Sequence, residues 1–244
     1  MRKFNWLDIW INVRLLLMFT AVIFLFSFTA KRNSDRKLTK SMVYFLGDEN
    51  LFVTSETVNK LLIENKKKAQ TIRKDKLDLN ALEKAINKHN MIEKSEVFVS
   101  VDGVLKAIVK QKTPIVRVID DQGSFYIDYQ GGKMPLSENF TARVPLVSGE
   151  INAKNADKLN ELFRFIFDDD FLRKNIVGIQ IFSNGSLKMM NRNFDYEIDF
   201  GKTINVERKF NNYKAFFQKA VLDSSLYHYK KINLKFTQQV VCTK

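Results

Sequence analysis

Apolar and polar positions recur along the chain in blocks of different period, and those periods divide it. Leu15 to Ala30 reads LLLMFTAVIFLFSFTA without a charged side chain and closes on Lys31-Arg32. As a helix at ~1.5 Å per residue this block covers about 24 Å, a little short of the ~30 Å hydrocarbon core of a bilayer. Extension back to Ile9 supplies the missing length and takes in Asn12 and Arg14, with Arg14 near one end where a long side chain snorkels. The pattern predicts one transmembrane helix over 9–30, a short tail over 1–8, and Trp6 and Trp10 as interfacial anchors. The competing reading is a cleaved signal peptide with Arg2-Lys3 as its basic n-region. The length of the apolar run and the lack of an A-x-A site weigh against it.

Beyond a charged linker over 31–40, the periods shorten. Val43 to Leu46 and Leu51 to Val53 read as short strands. Thr54 or Ser55 then caps a helix carrying Val58, Leu61 and Leu62, and Asp78 caps a second with Leu79, Leu82, Ala85 and Ile86 on one face. Glu96–Val101 and Val104–Lys112 flank Asp102-Gly103, the residue pair of a two-residue type I′ hairpin. The result is a β-α-α-β-β unit over 41–113. After Pro114 the pattern becomes mostly strands: 115–119, 125–128, 144–147, 176–182, 187–190, 196–200 and a last one alternating at Ile232, Leu234 and Phe236. Helical stripes occupy 155–168 and 206–221. The fold class is therefore α+β: an N-terminal span, a small β-α-α-β-β domain, then a mostly antiparallel β-domain with two helices over 114–244.

Composition narrows the function more than the fold. The net charge is +13, from 40 Lys and Arg against 27 Asp and Glu. The densest basic cluster, Lys66 to Lys76, has no interleaved aromatics for base stacking, so it reads as a solvated loop and nucleic acid is not an expected partner. Cys242 is the single cysteine, and the two histidines, His89 and His228, fall in different domains, which excludes ordinary zinc sites and recognisable nucleophile–histidine spacings. Asp199-Phe200-Gly201 spells the kinase triplet without a preceding H-R-D, and Asp168-Asp169-Asp170 reads as a helix end. No catalytic residue, metal or cofactor is expected. Around the span, Lys31, Arg32, Arg36, Lys37 and Lys40 outnumber Arg2, Lys3 and Arg14, which by itself favours a cytoplasmic large domain.

Five short segments in order carry a resemblance. They are Leu105 to Val116 with Lys110-Gln111-Lys112-Thr113-Pro114; Tyr126-Ile127-Asp128 through Gly131 with Pro135; Val144 to Gly149; Ile198 to Lys202; and Ile232 to Phe236. The chain resembles the bacterial cell-division family FtsQ, called DivIB in other lineages. Gln111 and Lys112 stand where members carry Glu and Arg, and Asn233 and Lys235 where members carry Asp and Arg. The resemblance implies a POTRA domain over 41–113, a β-domain with a C-terminal edge strand over 114–244, and an extracytoplasmic large part, against the charge count. It implies no enzyme but a scaffold at the septum, in the inner membrane, that binds FtsB/FtsL-type coiled-coil proteins and recruits an FtsW–FtsI-type septal peptidoglycan synthase. The partner strand is expected along Lys235, Phe236, Thr237, Gln238, Gln239, Val240 and Val241. Phe236 shares parity with Ile232 and Leu234, so the core is its alternative place.

Two other readings stay open on sequence. One is a membrane-anchored POTRA-type export receptor, which has no need of the C-terminal edge. The other is an envelope enzyme using carboxylates such as Asp128, Asp195 and Asp199.

Overall fold

With no charge between residues 15 and 30, the N-terminal block folds as one helix, α1 (Trp6–Ser34). Its apolar part, Ile9–Asn33, is 25 residues long with none of it buried, which at ~1.5 Å per residue gives about 37 Å and is enough to cross a bilayer. The Thr20 hydroxyl donates to the Leu16 carbonyl at 2.8 Å, so this polar group is satisfied within the helix. The computed structural model describes residues 6–35, 37–47, 51–63, 73, 77–121 and 123–244, without the side chains of 6–8 and 34. The first five residues, the Trp6 side chain and the basic cluster apart from Arg73 lie outside the described residues.

The chain divides into two units, residues 1–48 with 54–110, and residues 49–53 with 111–244. In the first, β1 (Lys40–Leu46), α2 (Ser55–Leu62), α3 (Leu79–Asn87), β2 (Ile92–Val99) and β3 (Val104–Gln111) follow one another. Both helices begin as the caps dictate. The Thr54 hydroxyl accepts from the Thr57 N–H at 3.2 Å and Asp78 Oδ1 from the Ala81 N–H at 3.0 Å. The sheet order is β1-β3-β2, with β1 parallel to β3. Val58 and Leu62 of α2 and Ile86 of α3 are buried with Ile92, Leu105 and Val109 of the sheet.

The second unit is one nine-stranded sheet with helices. Its first strands are β4 (Pro114–Asp120), β5 (Gly123–Asp128), β6 (Lys133–Met134) and β7 (Leu146–Ser148). Then come α4 (Ala156–Asp168), α5 (Asp170–Asn175), β8 (Ile176–Ile181), β9 (Leu187–Asn191) and β10 (Glu197–Gly201). Last are α6 (Val206–Leu222), β11 (Lys231–Asn233) and β12 (Val241–Thr243). The order is β12-β11-β10-β9-β8-β7-β4-β5-β6. Pairing is mostly antiparallel, with parallel steps at β4–β7, β7–β8 and β10–β11. The α4 stripe Leu159, Leu162, Phe163 and Ile166 is buried as its spacing requires, together with Phe210 and Tyr213 of α6.

Local readings change in four places. Leu51–Val53 is not a strand: Gln111 Oε1 accepts from the Phe52 and Val53 N–H groups at 3.0 and 3.1 Å, and its Nε2 donates to the Val53 carbonyl at 2.8 Å. A side-chain amide thereby replaces a neighbouring strand as the partner of this backbone. The hairpin turn is longer than two residues. The Gly103 N–H donates to the Ser100 carbonyl, the Ser100 N–H to the Val104 carbonyl, and only Gly103 takes positive φ (83°). A single left-handed glycine of this kind marks a three-residue loop closed by a bulge. Asp169 ends α4 and its carboxylate accepts from the Leu172 N–H at 3.0 Å, starting α5 where one helix end was expected. The strand expected to run from Ile232 through Phe236 stops at Asn233.

Candidate functional site

The C-terminal corner is built on a parallel pair. Ile198 on β10 lies opposite Ile232 on β11, and both are buried. Asp199 follows on the opposite face of β10. Its side chain is 7% exposed and receives Lys231 Nζ at 2.9 Å and Lys235 Nζ at 2.8 Å. Burial pushes the Asp199 carboxyl upward, but the hydrogen bonds from Lys235 and Lys231 outweigh it and hold the pKa below the ordinary carboxylate value. The Leu234 N–H donates to the Asp199 carbonyl at 2.9 Å, and the Lys235 N–H to Asn233 Oδ1 at 2.9 Å. That Asx contact turns the chain out of the strand, so Leu234 stays buried and Phe236 emerges 51% exposed.

From there the chain bends over 235–240 before β12 returns antiparallel to β11, with Ile232 opposite Cys242. Asn212 on α6 holds the bend through its Nδ2, which donates to the Thr237 carbonyl at 3.0 Å. Of the seven expected contact residues, Lys235, Phe236, Gln238, Gln239 and Val241 are exposed, while Thr237 and Val240 are half-buried. Only Val241 belongs to a strand; the other six form the connection leading to it. Among the described residues β12 is the last strand of the sheet on its side, with β11 as its neighbour.

Next to the bend lies a cleft of about 400 Å³ whose walls include Asn184, Ser186, Lys202, Lys209, Lys235 and Thr237. Lys209 is buried, 4% exposed, and donates to the carbonyls of Phe200 (2.9 Å) and Lys202 (2.8 Å), with its ammonium 4.6 Å from the Phe200 ring centroid. Burial lowers its pKa. Sequence reasoning missed Lys209, Lys231 and Asn212. The readable signal was that Lys209 sits between Val206 and Tyr213 on the helix face that is otherwise apolar.

Asp128 and Asp199, two of the carboxylates considered for catalysis, are far apart and each is ion-paired. Asp128 is 3% exposed, pairs with Lys112 Nζ at 3.0 Å, and accepts from the Gln130 and Gly132 N–H groups at 3.0 and 2.7 Å. It lies on β5, five strand positions from Asp199 on β10, a separation on the order of 20 Å at ~4.8 Å per strand. That exceeds the ~5–9.5 Å of a glycosidase pair. Asp195 is exposed on the loop before β10. Tyr129 donates to Asp168 at 3.0 Å, Lys214 pairs with Asp169 and Arg173 with Asp170, so the acidic run is consumed by local contacts. Among the described residues no cluster of His, Cys, Asp or Glu could hold a metal ion.

Two glycines of the segments that carry the resemblance are architectural. Gly149 has φ 102°, and a Cβ there would lie 2.1 Å from the Ile181 carbonyl oxygen. Gly201 has φ 70°, and a Cβ would meet Lys235 Cγ at 2.8 Å, so the close approach of the bend to β10 requires glycine. Together these features make a strand edge with no further strand beside it among the described residues, rimmed by an exposed aromatic and two amides, an arrangement suited to recognition of another chain.

A comparison with curated proteins gives no significant match. The profile of the family "FtsQ/DivIB, C-terminal related" matches residues 113–243, from the threonine before β4 to the end of β12 and more than half of the 244 residues. The chain belongs to the FtsQ/DivIB C-terminal related family of cell-division proteins.

Proposed function

We propose that this protein is a non-enzymatic scaffold of the bacterial divisome, held in the cytoplasmic membrane by α1 as a retained single span. Its large C-terminal part is extracytoplasmic, with a POTRA domain over 41–113, and works at the division septum. It binds FtsB/FtsL-type coiled-coil proteins and through them helps recruit and regulate an FtsW–FtsI-type peptidoglycan synthase. The observation that carries this reading is the open β12 edge at the end of the family-matched sheet, with Phe236 exposed beside it. An incoming strand would add backbone hydrogen bonds to β12 while Phe236 and the Gln238 and Gln239 amides select the partner.

Co-purification from detergent-solubilised membranes tests it with three chains: full length, Phe236→Ala, and a chain stopped at Leu234. Val240 and Cys242 pack against the core, so thermal melting must show that the truncated chain is folded. The full chain is expected to retain small bitopic coiled-coil proteins, Phe236→Ala to lose at least tenfold in affinity as a central aromatic contact does, and the folded truncation to retain none. If both variants retain their partners as well as the full chain, the edge is not the site. If the full chain captures none, the export-receptor reading takes its place.

A further inference from the structure

The passage from α1 to β1 is short. The apolar span ends at Asn33, Leu38 is already buried at 2% exposure, and the Thr39 N–H donates to the Gly103 carbonyl at 2.9 Å. Six residues from Asn33 to Thr39 reach at most about 20 Å when fully extended. The β2–β3 turn is therefore held, through Thr39, within that distance of the end of the span. The approach is tight as well: a Cβ on Gly103, at φ 83°, would lie 3.0 Å from the Lys37 carbonyl. Arg73 pairs with Asp35 at 2.5 Å and bridges to Lys37, bracing the same short stretch.

At the tip of that turn stands Val101, 81% exposed, an apolar side chain where a hairpin in water ordinarily carries a polar one. It lines one cleft with Phe26, Phe28, Arg32 and Asn33 of α1. Around it the charge is mostly of one sign: Lys31 and Arg32 in the last turns of α1, then Lys37 and Lys40, all exposed, against Asp35 and Asp102. An exposed valine that shares a cleft with Arg32, on a turn whose backbone neighbours are Lys37 and Lys40, a few residues from a membrane span, matches the headgroup layer. Its apolar part takes the valine and its phosphates take the ammonium groups.

We propose that the Val101–Gly103 tip rests in the interfacial layer of the membrane crossed by α1, drawn there by anionic phospholipid acting on Lys31, Arg32, Lys37 and Lys40. The tip makes a second attachment, so the first unit is held against the bilayer. This rests on α1 being a retained span.

The test uses the full chain in nanodiscs, with Cys242→Ser removing the one native thiol. An environment-sensitive fluorophore is placed at Val101→Cys or at Asn90→Cys, beyond the other end of β2, whose 8 residues span about 26 Å at ~3.3 Å per residue. Asp102→Cys serves if Val101→Cys alters the melting temperature. Nanodiscs of phosphatidylcholine, with or without phosphatidylglycerol, carry a headgroup spin label as quencher. Quenching at least twofold greater at 101 than at 90 is expected, with an increase on adding phosphatidylglycerol that Lys37→Gln with Lys40→Gln reduces. Equal quenching at both positions, or quenching at 101 indifferent to phosphatidylglycerol, overturns the proposal. Alkaline extraction of native membranes separates the two failures. A chain that stays in the membrane yet shows an unquenched tip defeats only this inference, and a chain that is released defeats the retained span.

Discussion

Gln111 shows how one side chain decides local structure. It is 4% exposed, and its carbonyl oxygen and amide nitrogen together satisfy three backbone groups of Phe52 and Val53. Truncation would leave two N–H groups and one carbonyl buried without partners, at ~1–3 kcal/mol for each unsatisfied group. Gln111→Ala is accordingly expected to lower stability by about 3 kcal/mol, measured by urea denaturation, whereas a loss near 0.5 kcal/mol would mean that water replaces the amide. Asp199 acts through charge instead. Its folded pKa lies below the ordinary 3.8, because the two lysines overcome burial. The stabilisation is therefore fully present above that ordinary value and is lost as pH falls through the folded pKa. Asp199→Asn should lower the melting temperature at pH 7 and make it less sensitive to acid as pH falls below the ordinary carboxylate value. A variant whose melting curve falls with pH as steeply as the native one would show that the lysine pair is too solvated to matter. Both residues stood inside the segments that carry the family resemblance, as does Lys235, whereas Phe52 and Lys231 lie outside them and distant along the chain.

At the scale of elements, Leu234 and Phe236 separate what periodicity shows from what it hides. Both fit the alternation of a strand with Ile232, yet Leu234 is 1% and Phe236 51% exposed. The alternation ends because Asn233 caps the Lys235 N–H and Lys235 reaches back to Asp199. Leu234→Ala is thus expected to cost about 2–5 kcal/mol and Phe236→Ala less than ~0.5 kcal/mol. Thermal melts of the two variants check this, and a large loss for Phe236→Ala would place its ring in the core. Elements governed by local chemistry were legible: the capped helices α2 and α3, the apolar stripes of α4 and α6, and the length of α1. The parallel steps β4–β7 and β7–β8 were not, because their registers pair residues some thirty positions apart, as Val118 with Val147 and Val147 with Ile179. Nor was the short β12, whose three residues carry no period of their own. The edge on which the proposed function depends was thus approached from the family pattern rather than from hydrophobic spacing.

For the whole molecule, the division into units does not follow a single cut in the chain. Residues 49–53 leave the first unit between β1 and α2 and belong to the second. There the Phe52 ring meets Tyr126 edge-on at 6.4 Å and Phe140 at 5.4 Å, and its carbonyl accepts from Ser137 Oγ and Asn139 Nδ2. A fragment beginning at Pro114 keeps the whole nine-stranded sheet but loses Phe52, Val53 and Gln111. Burying one phenylalanine is worth ~1.5–3 kcal/mol, and for a unit of this size each 1 kcal/mol moves the midpoint by roughly 3–4 °C. The isolated fragment is therefore expected to melt on the order of 5–10 °C below the same unit in the full chain. Cys242 offers a selective readout, since it is the only cysteine and lies partly buried on β12 of this unit. Thiol labelling during a thermal ramp follows the second unit alone. Phe52→Ala in the full chain should shift the labelling midpoint in the same direction as the fragment, by most of the same amount. Coincident midpoints for fragment, variant and native chain would mean that residues 51–53 merely lie on a surface that is stable without them.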